Sequence, residues 1–427
     1  MPVIVIGDLA MRLLSKRDQR RMGLSVLLAA TFISAPALAS GAQLDPSFSG
    51  DGRAIVSDAP PPHAIAVGPD GSVVISGFES RLLSGGTWVS RRLSVTRLTP
   101  SGHLDQTFGN HGTARLPIDR SYKKRDISDV ALRVTPDGSI VSIARVQSAA
   151  PSGGATLLSL SRLTSTGAVD RKFGMGDGLL GVQGEFMASS IDSAGRILLA
   201  NDGELTRLAA DGQIDPAFSD DGVVGLPSGF GETDVALATT PDDGVIAVHA
   251  RTGSFARYDE SGNPVAGFGN DGTSEIPSAA GDEIQLIVGP AGDTYFFRAQ
   301  TFSPLWRDLG HLNADGSLDT QFGGDGLVPF RPYEYGDAVA DSSGRVVFTA
   351  HSRSGRMAVE RLDASGHRDA GFGFNGIFLI PFPKLRTGAA VLASDLTHDT
   401  LIAAGAAAKR KGHHESYSRW AVARFRP

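Results

Sequence analysis

The chain has 427 residues, with 53 glycines, 23 prolines and no cysteine, and its formal charge at pH 7 is −6. Abundant glycine with moderate hydrophobicity is typical of a globular protein rich in turns, and it argues against a disordered chain and against a helix bundle. The lack of cysteine excludes disulfides, thiolate zinc sites and a cysteine nucleophile.

The first 39 residues are predicted to be a secretory signal peptide. Basic residues from Arg12 to Arg21 precede the apolar run GLSVLLAATFIS and the cleavage pattern Ala37-Leu38-Ala39. The apolar run is shorter than the about 20 residues of a membrane-spanning helix, and an uncleaved anchor is the alternative. Met11 is the more natural start, because the residues before it add nothing to the basic region. We therefore expect a periplasmic or extracellular protein, cleaved after Ala39.

Cleavage would remove five basic and two acidic residues and change the formal charge from −6 to −9. An acidic mature chain is not expected to bind nucleic acid. No second apolar segment of membrane length follows in the sequence, and we expect a monomer without a cofactor.

Residues 40–427 repeat one unit, which is recognised by a turn of the type LDQTFGNHG. The seven motif phenylalanines are Phe48, Phe108, Phe173, Phe218, Phe268, Phe322 and Phe372. Within a unit, a hairpin such as AIAVGPDGSVVISG (64–77) comes first, a segment such as VTRL (95–98) comes next, and the turn leads into a last short stretch. Four short, β-branched stretches in a repeat of about 50 residues are typical of a β-propeller blade. The sequence predicts an all-β, seven-bladed propeller with four-stranded antiparallel blades.

These segments resemble the delta-60 repeat family of bacterial propeller-like proteins, with its V-x-x-D-G-x-I-x-x-x-G, x-R-L and L-D-x-x-F-G-x-x-G patterns. The resemblance covers the predicted mature chain and departs from the pattern at Val265, His311 and Asp399-Thr400. It implies a propeller fold and an exported or surface location, and it implies no particular reaction.

The order of the segments predicts how the ring closes. The mature chain opens with a fourth element, LDPSFSGDGRAIV, and ends with a third element, WAVARFRP. The N-terminus is therefore predicted to supply the outer strand of blade 7. Four prolines five residues after a motif glycine fit an outer edge strand, where no ladder N–H is needed: Pro117, Pro227, Pro277 and Pro381.

An arginine and an aspartate recur in most units. The arginines are Arg97, Arg162, Arg207, Arg257, Arg361 and Arg424, and the motif aspartates are Asp45, Asp105, Asp170, Asp215, Asp319 and Asp369. A guanidinium between two blades needs a partner, and the motif carboxylate can accept from it. We interpret the pair as structural, because a residue needed in every blade is rarely one ligand site.

Sequence signatures of catalysis are absent: there is no G-x-S-x-G, H-E-x-x-H or phosphate-binding loop. The Asp/Gly clusters lack the spacing of a calcium loop and are interpreted as turns. Acidic residues do precede several predicted inner strands, and Asp129, Asp234, Glu283 and Asp337 could form a partial acidic ring suited to a hard cation.

The two faces of the predicted propeller differ. Asp-Gly turns form one face (the repetitive face), and the other carries longer, variable segments (the irregular face). Six of the nine Tyr and Trp residues fall in these variable segments, among basic residues. Such residues commonly anchor binding surfaces. The predicted site comprises Trp88, Arg91, Arg92, Tyr122, Lys123, Lys124, Arg125, Trp306, Arg307, Tyr333 and Tyr335.

Two functions follow from these residues. The favoured one is an exported, non-enzymatic binding or scaffold propeller that engages an envelope or extracellular protein or glycan through the irregular face. The alternative is a propeller enzyme (a lactonase, sugar dehydrogenase or glycan-cleaving protein) with acid/base residues at the channel mouth. The fold alone cannot decide between them.

Overall fold

The strands of this chain form a seven-bladed β-propeller of four-stranded antiparallel blades. The computed structural model describes residues 41–57, 62–82, 88–118, 125–148, 156–183, 188–228, 230, 234–281, 283–299, 307–330, 335–350, 355–388, 391–411 and 414–427. Within these ranges no helix has the length and the apolar character needed to cross a membrane.

Two strands precede blade 1: β1 (Gln43–Leu44) and β2 (Arg53–Ser57). Blade 1 contains β3 (Pro62–Val67), β4 (Val73–Leu82), β5 (Trp88–Leu98) and β6 (Thr113–Arg115). Blade 2 contains β7 (Arg125–Val134), β8 (Ile140–Ser148), β9 (Thr156–Leu163) and β10 (Leu179–Gln183). Blade 3 contains β11 (Ala188–Ile191), β12 (Ile197–Asn201), β13 (Glu204–Leu208) and β14 (Val223–Gly225).

Blade 4 contains β15 (Val235–Thr239), β16 (Val245–His249), β17 (Ser254–Tyr258) and β18 (Thr273–Glu275), and a short 3₁₀ helix, Pro277–Ala279, follows it. Blade 5 contains β19 (Glu283–Val288), β20 (Thr294–Ala299), β21 (Arg307–Leu312) and β22 (Leu327–Phe330). Blade 6 contains β23 (Tyr335–Ala340), β24 (Val346–Ala350), β25 (Met357–Arg361) and β26 (Ile377–Ile380). The last strands are β27 (Arg386–Thr387), β28 (Val391–Asp395), β29 (Thr400–Lys411) and β30 (His414–Arg426).

Blade 7 joins the two ends of the described chain, and this confirms the predicted closure. Its order is β28, β29, β30 and then β2, which pairs with β30 from Arg53 opposite Ala423 to Ser57 opposite Arg419. The short strand β1 also pairs with β30.

The first strands of the seven blades contact each other in a closed ring, in the order β3, β7, β11, β15, β19, β23, β28 and back to β3. Successive residues of a strand point to opposite faces of its sheet, so each blade buries apolar side chains against both neighbours. For example, Ala54 and Val422 of blade 7 pack with Val73 of blade 1. The hydrophobic core is therefore divided among the spaces between blades.

The repeated turn fastens each blade to the next one along the chain. All seven motif phenylalanines are buried, and Phe48 lies against Gly102, where a Cβ would come within 2.9 Å of its ring. The backbone N–H after the phenylalanine donates to a carbonyl of the next blade at 2.6–2.8 Å in six pairs: Ser49–Ser101, Gly109–Thr166, Gly174–Asp211, Ser219–Ser261, Gly269–Asp315 and Gly323–Ser365. The turn is repeated because every blade boundary needs these contacts.

The recurring arginine completes the same junction, and its predicted pairing with the motif aspartate is confirmed. Arg97 Nε donates to Asp105 at 2.7 Å, and Arg97 Nη1 donates to the Ser165 carbonyl of blade 2 at 2.5 Å. The guanidinium also lies 4.5 Å from the centre of the Phe108 ring. Equivalent pairs in blades 2, 3, 6 and 7 are Arg162–Asp170, Arg207–Asp215, Arg361–Asp369 and Arg424–Asp45.

The departures from the repeat pattern are compensated locally. His311 Nδ1 lies 2.9 Å from Asp319, in the place of the arginine. Arg257, opposite Val265, contacts Asp242 at 3.7 Å instead. Asp399 adopts a φ of +50°, which a glycine supplies in the regular turn.

One detail of the edge-strand prediction is corrected. Pro117, Pro227, Pro277 and Pro381 lie one or two residues beyond their outer strands rather than in them. A proline does occur within an outer strand in blade 5, where Pro329 lies opposite Asp308. In both placements the strand ladder does not need the backbone N–H that proline lacks.

Candidate functional site

The carboxylates of the repetitive face bind the backbone of their own turns. Asp221 accepts from the N–H of Val223 at 2.9 Å, and Asp325 accepts from that of Leu327 at 3.1 Å. Side chains also bond across blades: Ser193 Oγ donates to Asp243 at 2.9 Å, and Ser342 Oγ donates to Asp399. In the described ranges no three His, Asp or Glu side chains group as metal ligands. The interpretation of the Asp/Gly clusters as turns is confirmed.

The irregular face is built differently, because three neighbouring blades have much longer strands than the rest. In blade 1, β4 and β5 have 10 and 11 residues, and in blade 7, β29 and β30 have 12 and 13. In blade 2, β7 and β8 have 10 and 9 residues, whereas the strands of blade 3 have at most 5. The β29–β30 hairpin remains paired as far as Lys411 and His414. Blades 7, 1 and 2 therefore extend further on this face than blade 3 does.

This finding corrects the prediction that the basic segments are loops. Trp88, Arg91 and Arg92 lie in β5, and Trp88 is paired with Leu82. Arg125, Arg307 and Tyr335 each begin a strand. The hairpins continue beyond the blade body because pairing satisfies their backbone groups. Tyr122, Lys123, Lys124, Trp306 and Tyr333 lie outside the described residues.

Local interruptions of strand register also gather near the irregular face. The pairing shifts between Glu79 and Ser80, so that Arg91 has no partner in the ladder of β4 and β5. Inner strands shift by one residue in blade 1 at His63, in blade 2 near Asp129 and in blade 6 near Asp337. A bulge redirects side chains and is common beside functional sites. Three of these four shifts thus lie at the ring of inner strands, close to a titratable residue.

The predicted acidic ring is only partly described. Asp129 and Glu283 lie in the inner strands β7 and β19, and their side chains are outside the described residues. The Asp234 carboxylate accepts from Arg251 Nε. Asp337 accepts from two backbone N–H groups, those of Ala338 at 2.9 Å and of Leu392 in blade 7 at 2.8 Å. The two described carboxylates are therefore engaged with the protein itself.

Asp337 has an unusual environment for a carboxylate. Although the residue keeps some solvent-accessible surface, desolvation of its carboxyl group raises the pKa to about 6 from an ordinary 3.8. The two N–H groups lower the pKa, but they do not offset this desolvation. The group therefore changes charge at mildly acidic pH while it bridges blades 6 and 7.

Replacing Asp337 by asparagine is expected to change how stability depends on pH. Between about pH 4 and pH 6 the folded state holds this proton and the unfolded state does not, so the free energy of unfolding falls as pH rises. The loss is complete above about pH 6 and amounts to at most about 3 kcal/mol. Urea unfolding at pH 4 and pH 7.5 should show this fall in the wild type and not in Asp337→Asn. Parallel pH profiles for the two proteins would contradict the assignment.

The aromatic residues divide between the core and the irregular face. Tyr258, Tyr295 and Trp420, which the prediction leaves out of the site, are buried at 4%, 5% and 0% exposure. The remaining tyrosines and tryptophans belong to the segments that the sequence predicts for the irregular face.

A polar groove runs along the outer edge of blade 1, and sequence reasoning missed it. It has a volume of about 800 Å³ and lies between Val56 and Ser57 of β2, the strands β5 and β6, and the blade 2 turn at 166–169. Arg92, Ser94 and Thr96 of β5 line it together with Thr113 and Arg115 of β6. Ser94 lies opposite Arg115 and Thr96 opposite Thr113, so these side chains share one face of the blade. We call this cavity the blade 1 groove.

The signal for the groove is present in the sequence RRLSVTRL. In this stretch every second residue is polar: Arg92, Ser94 and Thr96. In β30 of blade 7 the corresponding face carries the buried residues Ala421 and Ala423 instead. Polar residues at a spacing of two on a strand otherwise buried by its neighbours indicate an exposed blade face. The second wall is formed by β2, which directly precedes blade 1 in the chain but completes blade 7, and the repeat pattern does not indicate that a cavity opens between β2 and β5.

Comparisons with known proteins give a likeness of fold alone. No protein-family model matches the chain, and a comparison with curated proteins finds no relative. The chain is similar to a streptogramin B lyase at 12% identity over 87% of this chain and 98% of that one, with a TM-score of 0.47.

Two dehydrogenase structures are similar at the same level. A putative glucose dehydrogenase from Thermus thermophilus has 13% identity over 87% of this chain and all of its own, with a TM-score of 0.40. A PQQ-bound aldose sugar dehydrogenase from Streptomyces coelicolor has 12% identity over 87% of this chain and 98% of its own, also with a TM-score of 0.40.

Proposed function

We propose that this chain is an exported, non-enzymatic binding or scaffold propeller whose irregular face engages a cell-envelope protein or an extracellular glycan. The signal-peptide pattern of residues 1–39 and the resemblance to the delta-60 repeat family support export to the periplasm or the cell exterior.

The difference between the two faces carries this proposal. On the repetitive face, carboxylates bond to the backbone of their own turns, and Arg97 bonds to its motif aspartate and to a carbonyl of the next blade. On the irregular face, the long strands of blades 1 and 7 carry Trp88, Arg91, Arg92 and the basic residues 409–411. Aromatic residues and arginines on a rigid scaffold are the usual anchors of a binding surface.

The titratable groups also favour binding over catalysis. A catalytic site needs polar groups that converge in one pocket and are available to a substrate. Of the acidic residues at the inner strands, Asp234 is paired with Arg251, and Asp337 is bonded to two backbone N–H groups. The two carboxylates bond to groups of the protein itself and so position neighbouring segments.

Combined substitution of Trp88, Tyr122 and Trp306 by alanine is expected to abolish retention of the protein on envelope extract. The free energy of unfolding should change little, because the sequence predicts these three residues to lie outside the blade cores, and exposed substitutions usually cost within about 0.5 kcal/mol each. Retention of the wild type should also weaken as salt rises, since basic residues surround these positions and exposed charges are screened beyond about 8 Å at physiological ionic strength. Immobilised protein and quantified capture provide the measurement.

The matched control changes three exposed residues of the repetitive face, Ser101, Asp211 and Ser365, to alanine. This variant should keep full retention, because the changes lie in the repeat turns, where the Ser101 and Asp211 side chains bond to Thr99 and to the backbone of Gln213. Loss of retention in the control, with the irregular-face variant unaffected, would place the binding surface on the repetitive face and refute the proposal.

A further inference from the structure

We propose that the blade 1 groove is the binding site for an acidic glycan, a chain of sugars that carry carboxylate or sulfate groups. The inference rests on the proposed function, for which it specifies the class of partner, and it extends the binding surface from Arg92 along the outer edge of blade 1 to the repeat turns. Three independent features of the groove carry it: its charge, its hydroxyl groups and its position at the junction between the two ends of the chain.

The charge of the groove is opposite to that of the molecule. The predicted mature chain has a formal charge of −9, yet among the described residues that line the blade 1 groove none is acidic, whereas Arg92 and Arg115 are basic. Two other clefts between blades, of about 410 and 620 Å³, are lined by carboxylates beside basic side chains: Asp45 and Asp70 with Arg424 and Arg426, and Asp137, Asp170 and Asp211 with Arg162 and Lys172. A cationic groove on an acidic protein selects an anionic ligand.

The side chains of Arg92 and Arg115 can bind the oxygens of carboxylate or sulfate groups. Among the described residues no carboxylate forms an ion pair with Arg115, which is exposed at the end of β6. Arg92 is also exposed, and it lies two residues from Ser94 on the same face of β5. A guanidinium offers a planar fork of donors that can bind two oxygens of one anionic group.

Hydroxyl groups between and around the arginines suit the rest of a sugar chain. Ser57, Ser94, Thr96, Thr113 and Thr166 line the groove. The hydroxyls of Thr96 and Thr113 bond to each other at 3.1 Å, and Thr96 is buried at 5% exposure. Because each hydroxyl has one donor and two acceptor positions, this pair retains capacity for a ligand hydroxyl. Leu104 and Val169 also line the groove and offer apolar surface to the C–H faces of sugar rings.

The groove also spans the closure of the ring. Val56 and Ser57 belong to β2, which completes blade 7, and the opposite wall belongs to blade 1. A ligand in the groove would contact both blades and would bind the closed ring only. Binding must therefore raise the melting temperature, since a ligand that binds the folded state alone stabilises it. This gives a measurement that does not depend on any activity.

The test is calorimetric titration, combined with thermal unfolding, of the full chain with hexagalacturonate and with a sulfated dextran oligomer. We expect at least one of them to bind and to raise the melting temperature, while maltohexaose does neither. Arg92→Ala/Arg115→Ala should weaken the binding at least tenfold. Thr113→Val should weaken it several-fold, and Arg115→Lys should give an intermediate loss, because lysine keeps the charge and loses the fork.

Arg171→Ala is the matched control, since it removes an exposed arginine of the blade 2 repeat turn and should leave binding unchanged. The proposal is overturned if neither acidic oligomer binds, if Arg171→Ala weakens binding as much as the groove variants do, or if hexaglutamate binds as tightly. The last result would assign the groove to an acidic peptide.

Envelope extract separates failure of this inference from failure of the proposed function. If Arg92→Ala/Arg115→Ala is retained like the wild type while the Trp88, Tyr122 and Trp306 variant is lost, the groove assignment is wrong and the irregular-face proposal stands. If wild-type protein is not retained at all, the proposed function fails, and binding of the pure acidic oligomers then decides the groove by itself.

Discussion

Deleting residues 44–57 is expected to lower the melting temperature by more than about 10 °C and to make the protein prone to aggregation. The deletion removes β2, and with it the five-residue ladder to β30. It also removes Phe48, which is fully buried, and Asp45, which pairs with buried Arg424 at 2.8 Å. A lost core phenylalanine costs about 3–5 kcal/mol, and an uncompensated buried charge costs about as much again. The exposed edge of β30 then invites pairing between molecules.

A circular permutant provides the control for this deletion. In blades 1, 2, 3 and 6 the arginine precedes its aspartate by eight residues, as in Arg97 and Asp105. Joining Pro427 directly to Gly41 gives the same spacing of eight between Arg424 and Asp45. A permutant that begins at Pro60 and ends at Asp58 therefore makes all four strands of blade 7 consecutive.

The permutant should melt within a few degrees of the wild type and remain monodisperse, because it keeps every contact of β2. Differential scanning calorimetry and size-exclusion chromatography compare the three proteins. An unchanged melting temperature in the deletion variant, or a destabilised permutant, would contradict the assigned role of the closing strand.

The sequence was sufficient to predict the features that are local and repeated. The sequence predicts where each blade begins and ends, how β2 closes the ring, and that Arg207 pairs with Asp215. Each of these features depends on a pattern that is present in several units. Because the same turn is present seven times, its shared residues indicate which contacts each junction between blades requires. The buried phenylalanines follow from the same reasoning.

The candidate site could be predicted only in part, because its features depend on single blades and on distant segments. The length of β29 and β30 and the register shifts at His63, Arg91 and Asp337 arise from hairpin pairing that no repeated pattern reports. The blade 1 groove depends on which side chains of β2, β5, β6 and the blade 2 turn line one cavity, and no repeated pattern indicates this. Basic and aromatic composition indicated the irregular face, but it could not indicate which of its residues continue a strand.

Replacing Arg207 by alanine is expected to cost about 3–5 kcal/mol of stability, the largest effect of any single substitution proposed for this chain. Its side chain is 2% exposed, Nε donates to Asp215 at 2.8 Å, and Nη1 donates to the Glu260 carbonyl of blade 4. The guanidinium also lies 4.7 Å from the centre of the Phe218 ring. Its removal leaves a poorly solvated carboxylate and a carbonyl without their donor, at the boundary between blades 3 and 4.

A double-mutant cycle of Arg207 and Asp215 shows whether stability is lost because the ion pair is broken or because packed volume is removed. Arg207→Met and Asp215→Leu should each destabilise the protein, whereas the double variant should recover most of the loss, since no charge is then left unpaired. Arg257→Met is the internal comparison: Val265 stands where the motif carboxylate would be, and Arg257 is 20% exposed and 3.7 Å from Asp242. Because this arginine has a weaker partner and more solvent, its loss should cost at most about 1 kcal/mol. Urea unfolding of the wild type, the two single variants, the double variant and Arg257→Met measures the free energy of unfolding of each protein. Equal losses of stability in Arg207→Met and Arg257→Met would show that the motif carboxylate is not the cause of the destabilisation.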